Sequence, residues 1–308
     1  MLSDKKILIT GATGNIAQPI AERLVTDNEV WCAARFTDPA KRAQLEEKGI
    51  NAAPWDLASG DNSQLPDDFT HVIHAAALIL TGNDHDTAVK VNAEGAGLLM
   101  QHCRKAQGFV FVSSAAVYAR QDPQHPHAET DPLGGLASYE PSYPIGKIAA
   151  EGAVRAAARM LNLPTTIARM NIGIGPHGGG GAAFNLLDIM RAGAPVPVPV
   201  GYDNWGSPIA AEDIAEQASG PLFDIASVPA TVINWAGDDP VNQREMCTFI
   251  GELAGISVTF EENPLFNLDA FVADNTKRLE LIGPCKTNWR DALRSAIYLR
   301  YPDLTSAS

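Results

Sequence analysis

Lys5-Lys6-Ile7-Leu8-Ile9-Thr10 runs straight into Gly11-Ala12-Thr13-Gly14-Asn15-Ile16-Ala17, and the reading of this stretch decides the fold. An apolar run of β-type residues, two glycines three apart and then a helical pattern predict a strand, a tight turn and a helix. Without a Cβ at Gly11 and Gly14, backbone N–H groups can approach a pyrophosphate, which also meets the positive end of the following helix. Ala17, one turn further on, is small enough for that helix to pack closely on the strand. In mid-chain the same glycines would read equally as an ordinary turn. Directly after an N-terminal strand and ahead of a helix, they read as a dinucleotide cradle. The spacing is GxxGxxA rather than GxGxxG.

Downstream the pattern keeps alternating. A helix over 17–25 leads to a strand over 29–34 that ends at Arg35. An acid about 20 residues past the glycines would accept from adenosine ribose hydroxyls, whereas an Arg there suits a 2′-phosphate. Arg35 holds that place with Lys41 and Arg42 nearby, so NADP(H) is expected ahead of NAD(H). A helix over 39–48 and a strand over 51–55 bring in Asp56-Leu57, where a carboxylate can accept from adenine or cap a helix. A strand over 71–74 ends in Ala75-Ala76-Ala77, whose small side chains leave room for a cofactor. A long helix over 87–105 carries Asn92, and the apolar strand 109–112 ends in Ser113-Ser114-Ala115-Ala116-Val117-Tyr118. Strands alternating with helices at this rate predict an α/β Rossmann fold. Its doubly wound parallel sheet binds ligand beyond the carboxyl ends of the strands.

The whole chain has 308 residues, enough for one large α/β domain with an elaborated second lobe. The expected division is a dinucleotide-binding domain over 1–170 and a smaller α/β substrate lobe over 171–308, with a segment near 231–236 returning to the main sheet. A formal net charge of −13 leaves no basic patch to displace counterions, so neither nucleic acid nor an anionic membrane is an expected partner. The N-terminus has no apolar signal core and no apolar run reaches membrane-spanning length, which predicts a cytoplasmic protein. Cys32, Cys103, Cys247 and Cys285 match no metal spacing and are expected as buried reduced thiols.

The segment 120–141 is polar, rich in Pro and His, and reads as a loop. His125 and His127 flank Pro126, but the sequence offers no third ligand, so they are expected as exposed loop histidines and no metal site is assigned. Ser142-Tyr143-Pro144-Ile145-Gly146-Lys147 then heads a helix, with Ser142 the expected N-cap and Pro144 tolerated in the first turn. The four-residue separation puts Tyr143 and Lys147 on one helical face. There an ammonium can stabilise a phenolate and make Tyr143 a proton donor and acceptor. Ser114, ending a neighbouring strand, can hydrogen-bond the same reacting oxygen. The spacing alone is a weak motif; its place after the Ser-bearing strand makes it specific.

Together these motifs resemble the extended branch of the short-chain dehydrogenase/reductase family, the NAD-dependent epimerase/dehydratase group. The likeness continues through Arg169-Met170-Asn171-Ile172-Gly173-Ile174-Gly175-Pro176, Ala211-Glu212-Asp213-Ile214-Ala215 and Val232-Ile233-Asn234-Trp235-Ala236-Gly237, and so covers nearly the whole chain. The resemblance implies Tyr143 as general acid/base, Lys147 on the nicotinamide ribose and tuning Tyr143, and Ser114 polarising the substrate carbonyl. It implies that Gly11, Thr13, Gly14, Asn15 and Ile16 cradle the pyrophosphate and that Arg35 meets the 2′-phosphate. Asp56 and Leu57 would border adenine, Ala75, Ala76 and Asn92 would line the ribose and nicotinamide, and Asn171 and Ile172 would face the carboxamide. Family members commonly dimerise through the helices bearing Asn92 and Lys147, so a homodimer is expected.

One departure bears on substrate. Sugar-nucleotide members usually place an Arg just before the Asp-Ile-Ala helix, and here that segment is Trp205-Gly206-Ser207-Pro208-Ile209. Between Asn171 and Thr276 the Lys and Arg complement is Arg191 and Arg244, thin provision for two phosphates. Phe184, Tyr202, Trp205, Phe266 and Phe271 supply one or two pocket walls and otherwise core. Gly178 to Gly181 is a hinge, a lid or a plain surface loop, and 195–200, alternating Pro and Val, is a stiff connector. The leading expectation is an oxidoreductase passing hydride between nicotinamide and a carbonyl or secondary alcohol on a small, mostly uncharged molecule. The alternatives are a nucleotide-sugar epimerase or dehydratase with tightly bound NAD and, more remotely, a non-catalytic dinucleotide sensor.

Overall fold

The structure, a computed structural model, describes residues 1–80, 82–135, 141–177, 181–264 and 271–307. Among the described residues, six strands and five α-helices build the first half: β1 (Lys6–Thr10), α1 (Ala17–Leu24), β2 (Glu29–Ala34), α2 (Pro39–Glu47), β3 (Asn51–Pro54), β4 (His71–His74), α3 (His85–Val89), α4 (Gly95–His102), β5 (Gly108–Ser114), α5 (Ser142–Leu161) and β6 (Thr165–Met170). A later strand, Thr231–Trp235, joins them, and the sheet order is Thr231–Trp235, β6, β5, β4, β1, β2, β3. Every pairing in this sheet is parallel. Thr10 pairs with Ala33 on one side and His74 on the other, so the strand order reverses between β1 and β4. A crevice opens beyond the carboxyl ends of the strands at such a switch point.

Alternation explains why the central strands read as continuous apolar runs: successive side chains enter opposite cores. Ile7, Ile9, Val30, Cys32 and Val110 pack with Ile20 and Leu24 of α1 on one face. Leu8, Ala33, Val72, Phe109 and Phe111 pack with Leu99 of α4 and Val154 of α5 on the other. Pro54, which cannot donate to a ladder, falls on the edge strand β3.

The long helix expected over 87–105 runs without a gap over 85–102, but it is not α-helical throughout. Between α3 and α4 lies one turn of π-helix, Lys90–Glu94, and Asn92 within it is 2% exposed. Its Nδ2 donates to Leu78 O at 3.0 Å while its Oδ1 accepts from Leu78 N at 2.8 Å. The widened turn carries that amide to the chain leaving β4. Ser142 also differs from expectation: Pro141 is the N-cap of α5, and the Ser142 hydroxyl donates to Gly82 O at 2.8 Å instead of capping its own helix.

The second lobe has its own core of Phe184, Leu187, Met190, Ile250, Trp289 and Leu293. Its strands come in pairs: Gly173–Ile174 with Ile209–Ala210, Trp205–Gly206 with Val241–Asn242, and Val196–Val198 with Phe260–Glu262. The connector expected over 195–200 is therefore in part a strand. Val196 and Val198 bury their side chains at 0% and 1% exposure while Pro197 turns outward between them. Phe184 belongs to this core; Gly178, Gly179, Gly180 and Phe266 lie outside the described residues. Among the described residues no helix is long and apolar enough to cross a membrane. The four cysteines are free, three of them buried and Cys285 partly so.

Candidate active site

The expected phosphate turn closes as the sequence requires. Gly11 has φ +78°, and a Cβ there would stand 2.9 Å from Ala76 N, so a side chain is excluded both by backbone geometry and by the loop leaving β4. Gly14 N donates to Gly11 O at 2.9 Å. The N-cap of α1, Ile16, makes no side-chain hydrogen bond; in the first turn Gln18 N donates to Gly14 O at 3.3 Å and Pro19 carries no N–H, so an anion there would meet the N–H groups that precede Gln18. Thr10 fixes the neighbouring loop: its Oγ1 accepts from Ala76 N at 3.1 Å and lies 2.7 Å from Nδ1 of His74. Burial presses the His74 imidazole pKa down to about 3, so it is a neutral ring at any working pH.

A cleft of about 370 Å³ opens on this turn, lined by Gly11, Thr13, Gly14, Arg35, Asp56, Leu57, Ala75 and Ala76, with Asp38 and Lys41 on its rim. Asp38 caps α2, its Oδ1 accepting from Ala40 N at 3.0 Å, and Asp56 caps a short 3₁₀ turn through Ala58 N at 3.1 Å. Asn15 and Ile16 point elsewhere, to the second lobe. Asn15 Nδ2 donates to Gly173 O at 3.1 Å, and a Cβ on Gly173 would stand 2.7 Å from Cδ1 of Ile16. Asn92 is committed to Leu78. Asn171 is committed too: Oδ1 accepts from Ile172 N and Ser207 N, both at 3.0 Å, and Nδ2 donates to Phe271 O at 2.5 Å. Asn171 and Ile172 thus sit where the lobes join.

Tyr143, partly buried, and Lys147 both lie in α5, one turn apart. Lys147 is 2% exposed; its Nζ donates to Val112 O at 2.8 Å and lies 4.8 Å from the Phe111 ring centre. Burial lowers its pKa to about 8, against a raising influence from Glu151. Ser114 ends the same β5 and caps the next turn through Ala116 N at 3.1 Å. Gly146 lets α5 approach α3 and the π-turn closely: a Cβ there would stand 2.8 Å from Ala88 O and 2.9 Å from Asn92 Nδ2. Among the described residues of the region a second tyrosine, Tyr118, is 1% exposed and donates its hydroxyl to Asn234 Oδ1 at 2.5 Å. Burial pushes its phenol up to about 12, which unfits it for proton transfer near neutrality.

Glu151 and Arg169 were given no role from sequence. Glu151 lies on the face of α5 that carries Lys147, one turn further on, and pairs with Arg169 of β6 inside the protein. Ser113 Oγ donates to Glu151 Oε1 at 2.6 Å, and the Arg169 guanidinium lies 4.8 Å from the Tyr118 ring centre. Burial works against the Arg169 charge, but the Glu151 hydrogen bonds outweigh it and raise the pKa. An Arg inside the strand Thr-Thr-Ile-Ala-Arg-Met was the available signal, since a lone buried charge needs a partner.

A second correction concerns the loop between Tyr118 and α5. His127 is 2% exposed, not an exposed loop histidine, and Asp131 supplies the third side chain that the sequence did not offer.

A doubly wound sheet with a glycine turn at its switch point and a Tyr and a Lys one helical turn apart define a dinucleotide-binding fold of the short-chain dehydrogenase/reductase kind. The chain belongs to the NAD dependent epimerase/dehydratase family, whose model matches residues 7–217. Among curated proteins it is 25% identical, over 97% of its length, to a trifunctional UDP-glucose 4,6-dehydratase/UDP-4-keto-6-deoxy-D-glucose 3,5-epimerase/UDP-4-keto-L-rhamnose-reductase of Arabidopsis thaliana. A second such Arabidopsis protein is 26% identical over 95% of this chain. The chain spans about half the length of these curated relatives, 48% and 47%. Among solved structures, UDP-glucuronic acid 4-epimerase from Bacillus cereus with UDP-glucuronic acid and NAD aligns at a TM-score of 0.82 and 20% identity, covering 97% of this chain and 99% of that one. UDP-glucose 4-epimerase from Thermus thermophilus with NAD aligns at a TM-score of 0.77 and 20% identity, covering 98% and 99%. These likenesses establish the fold.

Proposed function

We propose that the protein is a nicotinamide-dependent oxidoreductase acting at a carbonyl or secondary alcohol, with Tyr143 as acid/base. The observation that carries the reading is Lys147, a buried ammonium on the Tyr143 face of α5 and anchored to the strand that ends in Ser114. Gly11, Thr13, Gly14 and the N-terminus of α1 ahead of Gln18 would hold the pyrophosphate, while Ala75 and Ala76 leave the coenzyme room. A nicotinamide bound there supplies or accepts hydride. Tyr143 gives a proton to the substrate oxygen in reduction and takes it back in oxidation, Ser114 orients that oxygen, and Lys147 stabilises the phenolate. Asn15, Ile16, Asn92, Asn171 and Ile172 act as positioning residues, holding the turn, the loop after β4 and the lobe junction.

NADP(H) is the proposed coenzyme. Asp38, which lines that end of the cleft, is engaged with the start of α2, while Arg35 and Lys41 border the same space. The proposed substrate is small and mostly uncharged. Arg244 is paired with Asp203 at 3.1 Å, and Arg191 lies over the Tyr301 ring at 4.5 Å, so neither stands ready for a diphosphate. A second reading, epimerase or dehydratase chemistry on a nucleotide sugar with retained NAD, is favoured by the printed names of the relatives. Coenzyme content after purification separates the two, followed by turnover assays with a carbonyl panel and with UDP-sugars. NADPH consumption with carbonyls supports the first reading; co-purifying NAD with UDP-sugar conversion replaces it by the second.

The reading extends to a cytoplasmic homodimer. Free thiols suit a reducing compartment, and α4 and α5 expose Leu98, Ile145 and Met160, the last at 79%. A monomeric mass by light scattering would end the dimer proposal.

A further inference from the structure

Between Tyr118 and α5 two imidazoles converge on one carboxylate. His125 Nε2 lies 2.7 Å from Asp131 Oδ2, His127 Nδ1 lies 3.4 Å from the same oxygen, and the three donor atoms are all within 4.8 Å of one another. The cluster is firmly mounted. The His127 ring stacks on Tyr118 with centres 4.8 Å apart and planes 13° from parallel. Its backbone N donates to Val272 O at 2.8 Å, and its carbonyl accepts from Asp274 N at 2.9 Å and Asn234 Nδ2 at 2.7 Å. Asp131 Oδ2 is oriented in turn by Gln121 Nε2 at 3.1 Å and Ala128 N at 3.3 Å.

We propose that His125, His127 and Asp131 form a zinc site, with two imidazole nitrogens and one carboxylate oxygen as ligands and a water in the fourth position. Tetrahedral zinc, with bonds of roughly 2.0 to 2.2 Å, sets its donor atoms about 3.4 Å apart. His127 and Asp131 already stand at that separation, at 3.4 Å. His125, partly exposed, needs only a small rotation to open from 2.7 Å. Two nitrogen donors exclude magnesium and calcium, which take oxygen shells, and suit zinc. Gln121 and Ala128 supply the outer hydrogen bonds that aim a ligating carboxylate. Zinc here would tie His125 and Asp131 to His127, which stacks on Tyr118 and is hydrogen-bonded to Val272 and Asp274. The proposal does not depend on the coenzyme or the substrate.

The test uses tag-free full chain stripped with chelator. Titration calorimetry and metal analysis should give one zinc per chain, and thermal unfolding should shift upward with zinc and not with magnesium. His125→Gln and Asp131→Asn should each lose at least about tenfold in zinc affinity, with circular dichroism confirming that they fold. His177→Gln should bind as the parent does. Cobalt(II) in the unaltered chain should give the intense visible bands of four-coordinate metal, a readout that needs no variant. Absence of binding at micromolar zinc, unchanged affinity in both ligand variants, or the weak spectrum of six-coordinate cobalt would each overturn the site.

Discussion

Arg169 on β6 holds both carboxylate oxygens of Glu151 on α5, through Nε at 3.0 Å and Nη2 at 2.8 Å, with both side chains 5% exposed. Removing one partner leaves a charge stranded in the interior. Glu151→Ala should therefore destabilise the protein by about 3–5 kcal/mol, measured by denaturant unfolding. A loss under 1 kcal/mol would mean that water reaches the pair.

Tyr143→Phe keeps the ring and removes the proton. The expected result is a fall in kcat of at least about a hundredfold with unchanged circular dichroism and little change in coenzyme affinity. Rates equal to those of the parent would remove Tyr143 from the chemistry.

Gly11→Ala places a methyl 2.9 Å from Ala76 N on a residue with φ +78°. It should lower stability by about 1 kcal/mol or more and abolish coenzyme binding, read by fluorescence titration of NAD(P)H. Binding at parental affinity would show that the turn does not approach the phosphates.

Arg35→Asp should turn coenzyme preference toward NAD, seen as a reversed ratio of kcat/KM for the two coenzymes. An unchanged ratio would discard the 2′-phosphate assignment.

Lys147 gives two opposite pH dependences. Burial lowers its pKa from 10.5 to about 8, so the ammonium is lost above that pH and kcat/KM should decline there, with the fall displaced upward in Lys147→Arg. The folded value lies below the unfolded one, so the burden of the buried charge is complete below pH 8 and eases as pH climbs toward 10.5. The stability of the parent relative to Lys147→Met should improve across that window. A flat difference would refute the depressed value.

Much of this architecture was legible because the central strands are buried on both faces, which leaves unbroken apolar runs, and because the glycine turn follows the first of them directly. The strand expected over 71–74 and that over 29–34 appear with those bounds. What escaped depends on partners far along the chain. The π-turn at Asn92 answers to Leu78, the Ser142 hydroxyl to Gly82, and the strand at Val196–Val198 to Phe260–Glu262. Asp131 is only four residues from His127, yet its convergence with both histidines is created by the path of the loop. Nothing in the local sequence of Glu151 points to Arg169, which β6 places against it.

The edge strand Thr231–Trp235 lies beside β6 but is translated long after it. A chain still growing from the ribosome therefore holds β6 with a bare row of amides and carbonyls until residue 235 emerges. Nascent copies would be at their stickiest in that interval, and any product that stops before residue 231 would leave the sheet with a raw margin.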